Sequence, residues 1–171
     1  MKFTLFCQAA LALSLLQAPA RAETASEFLK SLEGDFSGRG SAVVVGKDTT
    51  KISCKLSNRF EESSNSLNVA GECASTKGKG KVSGTVTASN DQLKGNFVST
   101  RQNVKVTKSD GQYANGKMVL STMMMDEKVG RLIRVRQSVE RTDGGIKATF
   151  FTYDNATQEY KPAGSISLKK Q

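Results

Sequence analysis

The sequence predicts an all-β domain, an antiparallel up-and-down meander that closes into a barrel of 8-10 strands and follows one short N-terminal helix. Short runs of alternating polar and apolar residues recur from Phe36 onward, separated by Gly, Asn, Asp and Ser clusters. A turn at Asn90-Asp91 and the strong hairpin dipeptide Asp143-Gly144 divide several of these runs. Closure is expected because an open meander would leave long unpaired edge strands.

The first 22 residues are predicted to be a cleaved signal peptide. Lys2 supplies a charged start, residues 5–16 an apolar run, and Ala20-Arg21-Ala22 a small-residue site that predicts cleavage before Glu23. The alternative is a retained membrane anchor, although the run is short for a spanning helix. Removal would leave 23 basic against 16 acidic residues, a net charge of +7, and would also remove Cys7. The remaining residues, 23–171, are predicted to form one periplasmic or secreted domain.

The predicted elements after the signal peptide begin with a helix over residues 23–32, with Thr24 or Ser26 as its cap. Ten candidate strands follow, at residues 36–45, 50–60, 66–75, 79–88, 92–100, 103–107, 117–126, 131–141, 145–153 and 158–169. Every connection between them is short, so no domain boundary is expected.

Two cysteines remain in the mature chain, and their positions predict a disulfide. Antiparallel partners around a turn have position numbers with a constant sum, and a hairpin centred on Ser63-Ser64 places Cys54 opposite Cys73. Directly opposed residues are close enough for a bridge, which an oxidising compartment favours. Closing a loop of about twenty residues would stabilise the fold by roughly 3 kcal/mol. Two free thiols are the competing interpretation.

The same counting predicts the neighbours across the other hairpins. The expected opposed pairs are Val86 with Gly95, Gly84 with Phe97, Val139 with Ala148, Gln137 with Phe150, Met124 with Ile133, Thr122 with Val135, and Tyr153 with Gln158.

Two short motifs resemble those of a known family. The segment Leu32-Glu-Gly34-Asp-Phe36-Ser-Gly38 resembles the L-x-G-x-W-x-G start of lipocalin-like (calycin) barrels, with Phe36 in place of Trp. Residues 153–157 and 160–164 are similar to the final hairpin of small bacterial lipocalin-like domains. The resemblance implies that Lys169 or Lys170 covers the aromatic residue, and it supports a fold more than an activity.

An apolar barrel interior with a few polar groups predicts a small apolar or amphipathic ligand and no cofactor. The candidate lining residues are Asn58, Phe60, Phe97, Thr122, Met124, Gln137 and Phe150. The alternative is a packed interior whose polar residues satisfy one another.

The basic outer surface predicts a second class of function. Its candidate residues are Lys77, Lys79, Lys81, Arg134 and Arg136. They would suit an acidic protein, a glycan or a lipid headgroup in the cell envelope, whereas nucleic acid is not expected. Lysines on strand faces also protect edges from aggregation, which is the simpler interpretation.

Enzyme chemistry is the least expected class because the chain contains no His. This excludes His-based triads and the ordinary zinc sites. A hydrolase or isomerase using Ser, Lys or Tyr has no nucleophile motif to support it. Met123-Met124-Met125 is attributed to packing rather than to a metal. The sequence therefore predicts a non-enzymatic binding protein.

Overall fold

The computed structural model describes residues 22–43, 49–76, 78–99 and 104–171. The segment predicted to be a signal peptide therefore lies almost wholly outside the described residues. The elements within them are the helix α1, ten strands, β1 to β10, and a single 3-10 turn, Glu62–Ser64, between β2 and β3. In chain order the helix and the strands are α1 Ala25–Ser31, β1 Gly34–Val43, β2 Thr49–Glu61, β3 Ser66–Ser75, β4 Gly78–Ser89, β5 Gln92–Ser99, β6 Val104–Ala114, β7 Lys117–Asp126, β8 Arg131–Thr142, β9 Gly145–Asp154 and β10 Glu159–Lys170.

The ten strands form one closed antiparallel barrel. Each strand pairs with its neighbours in the chain, and β1 pairs with β10 to complete the ring. The predicted all-β meander barrel with a single short helix is confirmed. Within the described residues every strand pairs with two neighbours, so the barrel closes as expected.

Strand register follows the predicted hairpin counting at most turns. Cys54 lies opposite Cys73, and the two sulfurs form the expected disulfide. The pairs predicted across the β4–β5, β7–β8 and β8–β9 turns are also found. At the seam between β1 and β10, Phe36 lies opposite Lys170, one of the two basic residues that the family resemblance implied.

Two predictions about strands were wrong. Strand β6 continues to Ala114 instead of ending at Thr107, because a bulge between Val106 and Lys108 interrupts its alternation. In the last hairpin Tyr153 lies opposite Tyr160, not Gln158. The connection there is four residues long, and Gln158 adopts a left-handed conformation with φ 56°.

Glycines allow the first and last strands to approach closely at the seam. A Cβ atom on Gly38 would lie 1.9 Å from the carbonyl oxygen of Ser167, and one on Gly40 would lie 2.0 Å from that of Ser165. No side chain fits at such distances, so these two positions of β1 require glycine for the barrel to close.

The helix α1 covers one end of the barrel, called here the closed end. Thr24 and Glu27 form a capping box, in which each side chain accepts a hydrogen bond from the backbone amide of the other residue. Phe28 and Leu29 are fully buried and belong to the main core cluster. The helix packs against β3, β4 and β6, so one apolar helix face completes the core at this end.

Candidate functional site

The closed end is held by an aromatic pair and a shared carboxylate. The ring of Phe28 lies 4.8 Å from the ring of Tyr113. The Glu23 carboxylate accepts hydrogen bonds from the Tyr113 hydroxyl at 2.5 Å and from the Arg141 guanidinium at 2.8 Å. Burial, reinforced by this hydrogen bond to a carboxylate, raises the pKa of Tyr113 above its usual value of 10.0. These contacts fix the segment before the helix to the barrel.

Two predicted lining residues, Asn58 and Phe60, lie at this closed end. Asn58 is 4% exposed, and its amide nitrogen donates to the carbonyl oxygen of Leu32 at 2.9 Å. Its Oδ1 atom is buried without a hydrogen-bond partner among the described residues. Phe60 is close to the end of β2 and packs against the core cluster. Both residues therefore help to hold the end of the barrel that the helix covers.

Four other predicted lining residues, Thr122, Met124, Gln137 and Phe150, face inward nearer the opposite end, called here the open end. Their register partners are themselves inward-facing residues of β6, β8 and β9. Phe97 of β5 lies opposite Gly84 of β4, as expected. The side chain of Phe97 lies outside the described part of the structure.

On β7 and β8, burial of the inward side chains falls from the closed end to the open end. Along β7, Met118 is 1% and Leu120 is 0% exposed, whereas Thr122 and Met124 are only partly buried. On β8, Val139 is 6% exposed and the inward residues before it are partly exposed. The barrel is therefore filled beneath the helix, and the region of partly exposed inward side chains towards the open end is called here the cup.

The wall of this cup carries apolar side chains together with polar ones, among them Thr152, and the Asp154–Lys161 ion pair lies at its rim. Its partly buried apolar residues include Val82, Val106, Ile133, Val135 and Phe150. The hydroxyls of Ser109 and Thr122 lie 2.7 Å apart and satisfy each other. Gln137 is the inward amide, opposite Phe150. Such a surface suits an apolar molecule that has one hydrogen-bonding group.

The wall also opens between β5 and β6. The pairing described between these strands covers three residue pairs, from Gln92 with Gln112 to Lys94 with Asp110. Beside it lies a cleft of about 390 Å³, lined by residues of both strands that include Gly95, Val106 and Ser109. These three occupy inward positions of their strands, whereas Thr85, Thr87, Lys94 and Lys108 of the same lining face outward, so the cleft lies mainly on the outer surface.

The predicted basic surface residues form two separate groups. Lys79 and Lys81 project from the outer face of β4 near Glu72, whose carboxylate lies 3.5 Å from the Lys79 ammonium. Lys77 lies outside the described residues. Arg134 and Arg136 project from the outer face of β8, where each packs on a tyrosine instead of a carboxylate. These tyrosines, Tyr153 and Tyr160, were not among the residues singled out from the sequence.

A polar groove of about 580 Å³ continues from Arg136 over the outer face of β5, β6 and β7. Gln92 and Gln112 face each other across the β5–β6 pairing, and Asp110 and Ser121 complete the polar lining. The groove offers amide, carboxylate, hydroxyl and guanidinium groups on a surface with few apolar atoms.

No group of three or more His, Cys, Asp or Glu side chains among the described residues is placed to hold a metal ion. No helix within that part of the chain is long and apolar enough to cross a membrane.

Comparison with known proteins gives a similarity in fold. No family model matches the sequence, and no curated protein matches it either. Among solved structures, the crystal structure of Rv2717c from M. tuberculosis is similar, with a TM-score of 0.62 and 10% sequence identity. The match covers 84% of this chain and 97% of that one. At this identity the likeness concerns the fold alone, and the closed ten-stranded antiparallel barrel fits a lipocalin-like architecture.

Proposed function

We propose that the protein is an exported, non-enzymatic binding protein of lipocalin-like type, which holds a small apolar or amphipathic ligand in the open half of its barrel. The observation that carries the proposal is the change in burial along the inward positions of β7 and β8. Leu120 is fully buried, while Met124 and Ile133, which face each other nearer the open end, remain partly exposed. A ligand would cover these side chains in the way that the helix covers the other end.

The expected affinity follows from the area of apolar wall that a ligand would cover. If ligand and wall together lose about 400 Å² of apolar surface to water, the gain is roughly 10 kcal/mol. Association costs at least about 4 kcal/mol, which leaves about 6 kcal/mol. This corresponds to a Kd of some tens of micromolar, and polar contacts would tighten it.

Polar groups in the cup support an amphipathic ligand as well as a purely apolar one. The Gln137 side chain can both donate and accept a hydrogen bond, and it faces the cup beside Phe150. The hydroxyls of Ser109 and Thr122 already satisfy each other, so they tolerate an apolar neighbour. One hydrogen-bonding group on an otherwise apolar ligand therefore matches the wall.

Export is supported by the Cys54–Cys73 disulfide together with the signal-like N-terminal sequence. Structural disulfides persist in oxidising compartments and are rare in the cytosol. A periplasmic or secreted location follows from this proposal.

The test is titration of the purified protein with N-phenyl-1-naphthylamine, a neutral dye whose fluorescence rises in apolar surroundings. We expect saturable binding with one site per chain. Ile133→Trp would place a large side chain in the cup and should weaken binding at least tenfold. Leu132→Trp is the matched control, because Leu132 is the isomeric side chain one position earlier and points to the outer face.

Several outcomes would contradict the proposal. They are a dye signal that does not saturate, an equal loss of affinity in both variants, and an Ile133→Trp variant that binds the dye like the parent protein. If Ile133→Trp does not fold, as judged by circular dichroism, Met124→Trp takes its place, because Met124 lies directly opposite Ile133. Native mass spectrometry of the untreated protein provides an independent readout of a copurified small molecule.

A further inference from the structure

The outer wall of β7 to β10 carries an unusual surface, called here the Arg–Tyr face. Its members are Met123, Met125, Arg134, Arg136, Phe151, Tyr153, Tyr160 and Pro162. We propose that the Arg–Tyr face is a docking site for an acidic protein partner, whose carboxylates bind the two arginines while its apolar side chains pack on the surrounding residues. This inference is independent of the ligand proposed for the cup.

Strand alternation places these side chains outside the barrel. Leu120, Val139 and Ala148 are buried in the core on β7, β8 and β9, so residues at odd steps from them face outward. Register then brings the outward residues together. Met123 lies opposite Arg134, Arg136 lies opposite Phe151, and similar pairs join Phe151 to Pro162 and Tyr153 to Tyr160. The face is therefore one continuous patch across four strands.

The two arginines are held by aromatic rings. The guanidinium carbon of Arg134 lies 5.0 Å from the centroid of the Tyr153 ring, and that of Arg136 lies 4.0 Å from the centroid of the Tyr160 ring. The two tyrosine rings meet edge to face with centroids 5.2 Å apart. Stacking restricts each guanidinium and leaves its donor edge available, which lowers the entropic cost of binding a carboxylate in a bidentate manner.

Within the described residues, neither arginine of the face forms an ion pair with a carboxylate. Their outward neighbours are uncharged: Met123 lies opposite Arg134, and Ser121 and Phe151 lie opposite Arg136 on its two sides. The positive charge of the Arg–Tyr face is therefore presented to an external group.

The composition of the face is typical of a protein interface rather than of a solvated surface. Interface cores are enriched in aromatic residues, Met and Arg, and they are depleted of Lys and Glu. The outer face of β4 shows the opposite pattern, with Lys79, Lys81, Ser83 and Thr85 at successive outward positions. The contrast within one barrel distinguishes the Arg–Tyr face from charge that serves solubility.

The size of the face fits the centre of an interface. Across the strands the face covers the three spacings from β7 to β10, about 14 Å, and along the strands it covers two repeats of outward side chains, again about 14 Å. Its area is therefore roughly 200 Å². A standard interface buries about 800 Å² on each partner, so the rest would come from a polar rim. The groove lined by Gln92, Asp110, Gln112 and Ser121 begins at Arg136 and supplies such a rim on one side.

The charge and composition of the Arg–Tyr face favour an acidic protein over a second copy of this chain or a membrane. A second copy of this chain would place arginines near arginines in a protein of net charge +9, which opposes self-association through this face. An anionic membrane attracts Lys and Arg alike, so it does not explain why the arginines are embedded among aromatic residues. A protein segment that combines carboxylates with apolar side chains matches both the charge and the chemistry of the face.

The experiment measures binding of the purified protein to a random copolymer of Glu and Tyr, which serves as a model acidic protein segment. Isothermal titration calorimetry gives the affinity, and NMR signals of the arginine Nε–Hε groups report the location. The test variant is the double substitution Arg134→Gln and Arg136→Gln. The matched control is Lys79→Gln and Lys81→Gln, which removes the same two charges from the other side of the barrel. Heparin and vesicles containing phosphatidylglycerol are the comparison ligands.

We expect the arginine variant to bind the copolymer at least tenfold more weakly and the lysine control to change by less than twofold. A second variant, Arg134→Lys with Arg136→Lys, keeps the charge and should also lose most of the affinity, because ammonium groups do not reproduce the stacked fork. Equal losses in the arginine and lysine variants would contradict the proposal. Arginine-dependent binding that is stronger to vesicles or heparin than to the copolymer would also overturn it, as would absence of copolymer binding.

Discussion

Replacing Phe28 by Ala tests whether the helix α1 is part of the core. The side chain is fully buried, packs on the Tyr113 ring at 4.8 Å and lies beneath the Arg141 guanidinium at 5.5 Å. Truncating a buried Phe costs about 3–5 kcal/mol, which combines lost apolar burial with the cavity that remains. We therefore expect Phe28→Ala to lower the free energy of unfolding by about 4 kcal/mol. For a chain of this size that corresponds to a fall in Tm of roughly 8–16 °C.

The assay is urea unfolding followed by circular dichroism, with Tm measured separately. The control is Val129→Ala, because Val129 is 64% exposed in the β7–β8 connection and should change stability by less than about 0.5 kcal/mol. A loss below about 1 kcal/mol for Phe28→Ala would show that the helix does not complete the core at the closed end. The proposed cup, which depends on one filled end and one open end, would then lose its structural basis.

Three further substitutions test other parts of the barrel. Cys54→Ala should lower the free energy of unfolding by about 2–5 kcal/mol under oxidising conditions, and an unchanged Tm would count against a bond that spans 19 residues. Because the native state holds the pKa of Tyr113 above its usual value, Tyr113 ionises more readily in the unfolded chain, and the free energy of unfolding should decline above pH 10. Glu23→Gln removes the hydrogen bond to the carboxylate and should lower the pKa of Tyr113, as measured by the absorbance of the phenolate. Gly111→Ala should lower the free energy of unfolding in urea by roughly 1–3 kcal/mol, because a Cβ atom there would lie 2.1 Å from the carbonyl oxygen of Val119 in β7. The control is Gly80→Ala, which should leave stability unchanged because no atom lies within 4 Å of its Cβ position.

The sequence predicts this fold well where turns are short and strongly marked. Asp143-Gly144 and Asn90-Asp91 fix the centres of their hairpins, and counting outward from them gives the correct neighbours along the paired strands. The same counting correctly predicts that Cys73 lies opposite Cys54. In such hairpins register is a local property, because one turn determines every later pair.

Prediction fails where the strict alternation of a strand is interrupted. Residues 109–111 read Ser-Asp-Gly, a composition typical of a turn, but they lie within β6. The bulge at Thr107 shifts the alternation, so a period of two does not extend through it. In the last hairpin the left-handed Gln158 closes a four-residue connection that a two-residue turn does not describe.

The second of these errors explains why the Arg–Tyr face could not be predicted. With Tyr153 placed opposite Gln158, the two tyrosines do not meet, and Arg134 and Arg136 remain an ordinary pair of exposed cations. The observed register brings Tyr153 and Tyr160 together and supplies a ring for each guanidinium. The distinction between a solvated basic strand and a docking surface therefore depends on the register of the β9–β10 hairpin, whose four-residue connection is not recognised from its sequence.

The cup and the Arg–Tyr face occupy opposite sides of the same strands. On β7, Met124 lines the cup and Met123 lies on the outer face. On β8, Val135 faces the cup and Arg134 lies on the outer face. Because successive side chains of a strand point to opposite faces, the two surfaces share a backbone but no side chain. Their residues can therefore be substituted independently, so a change in the ligand proposed for the cup would require no change in the partner proposed for the outer face. If both proposals hold, the barrel would combine carriage of a small molecule with recruitment of a protein, because the two binding surfaces share no side chain.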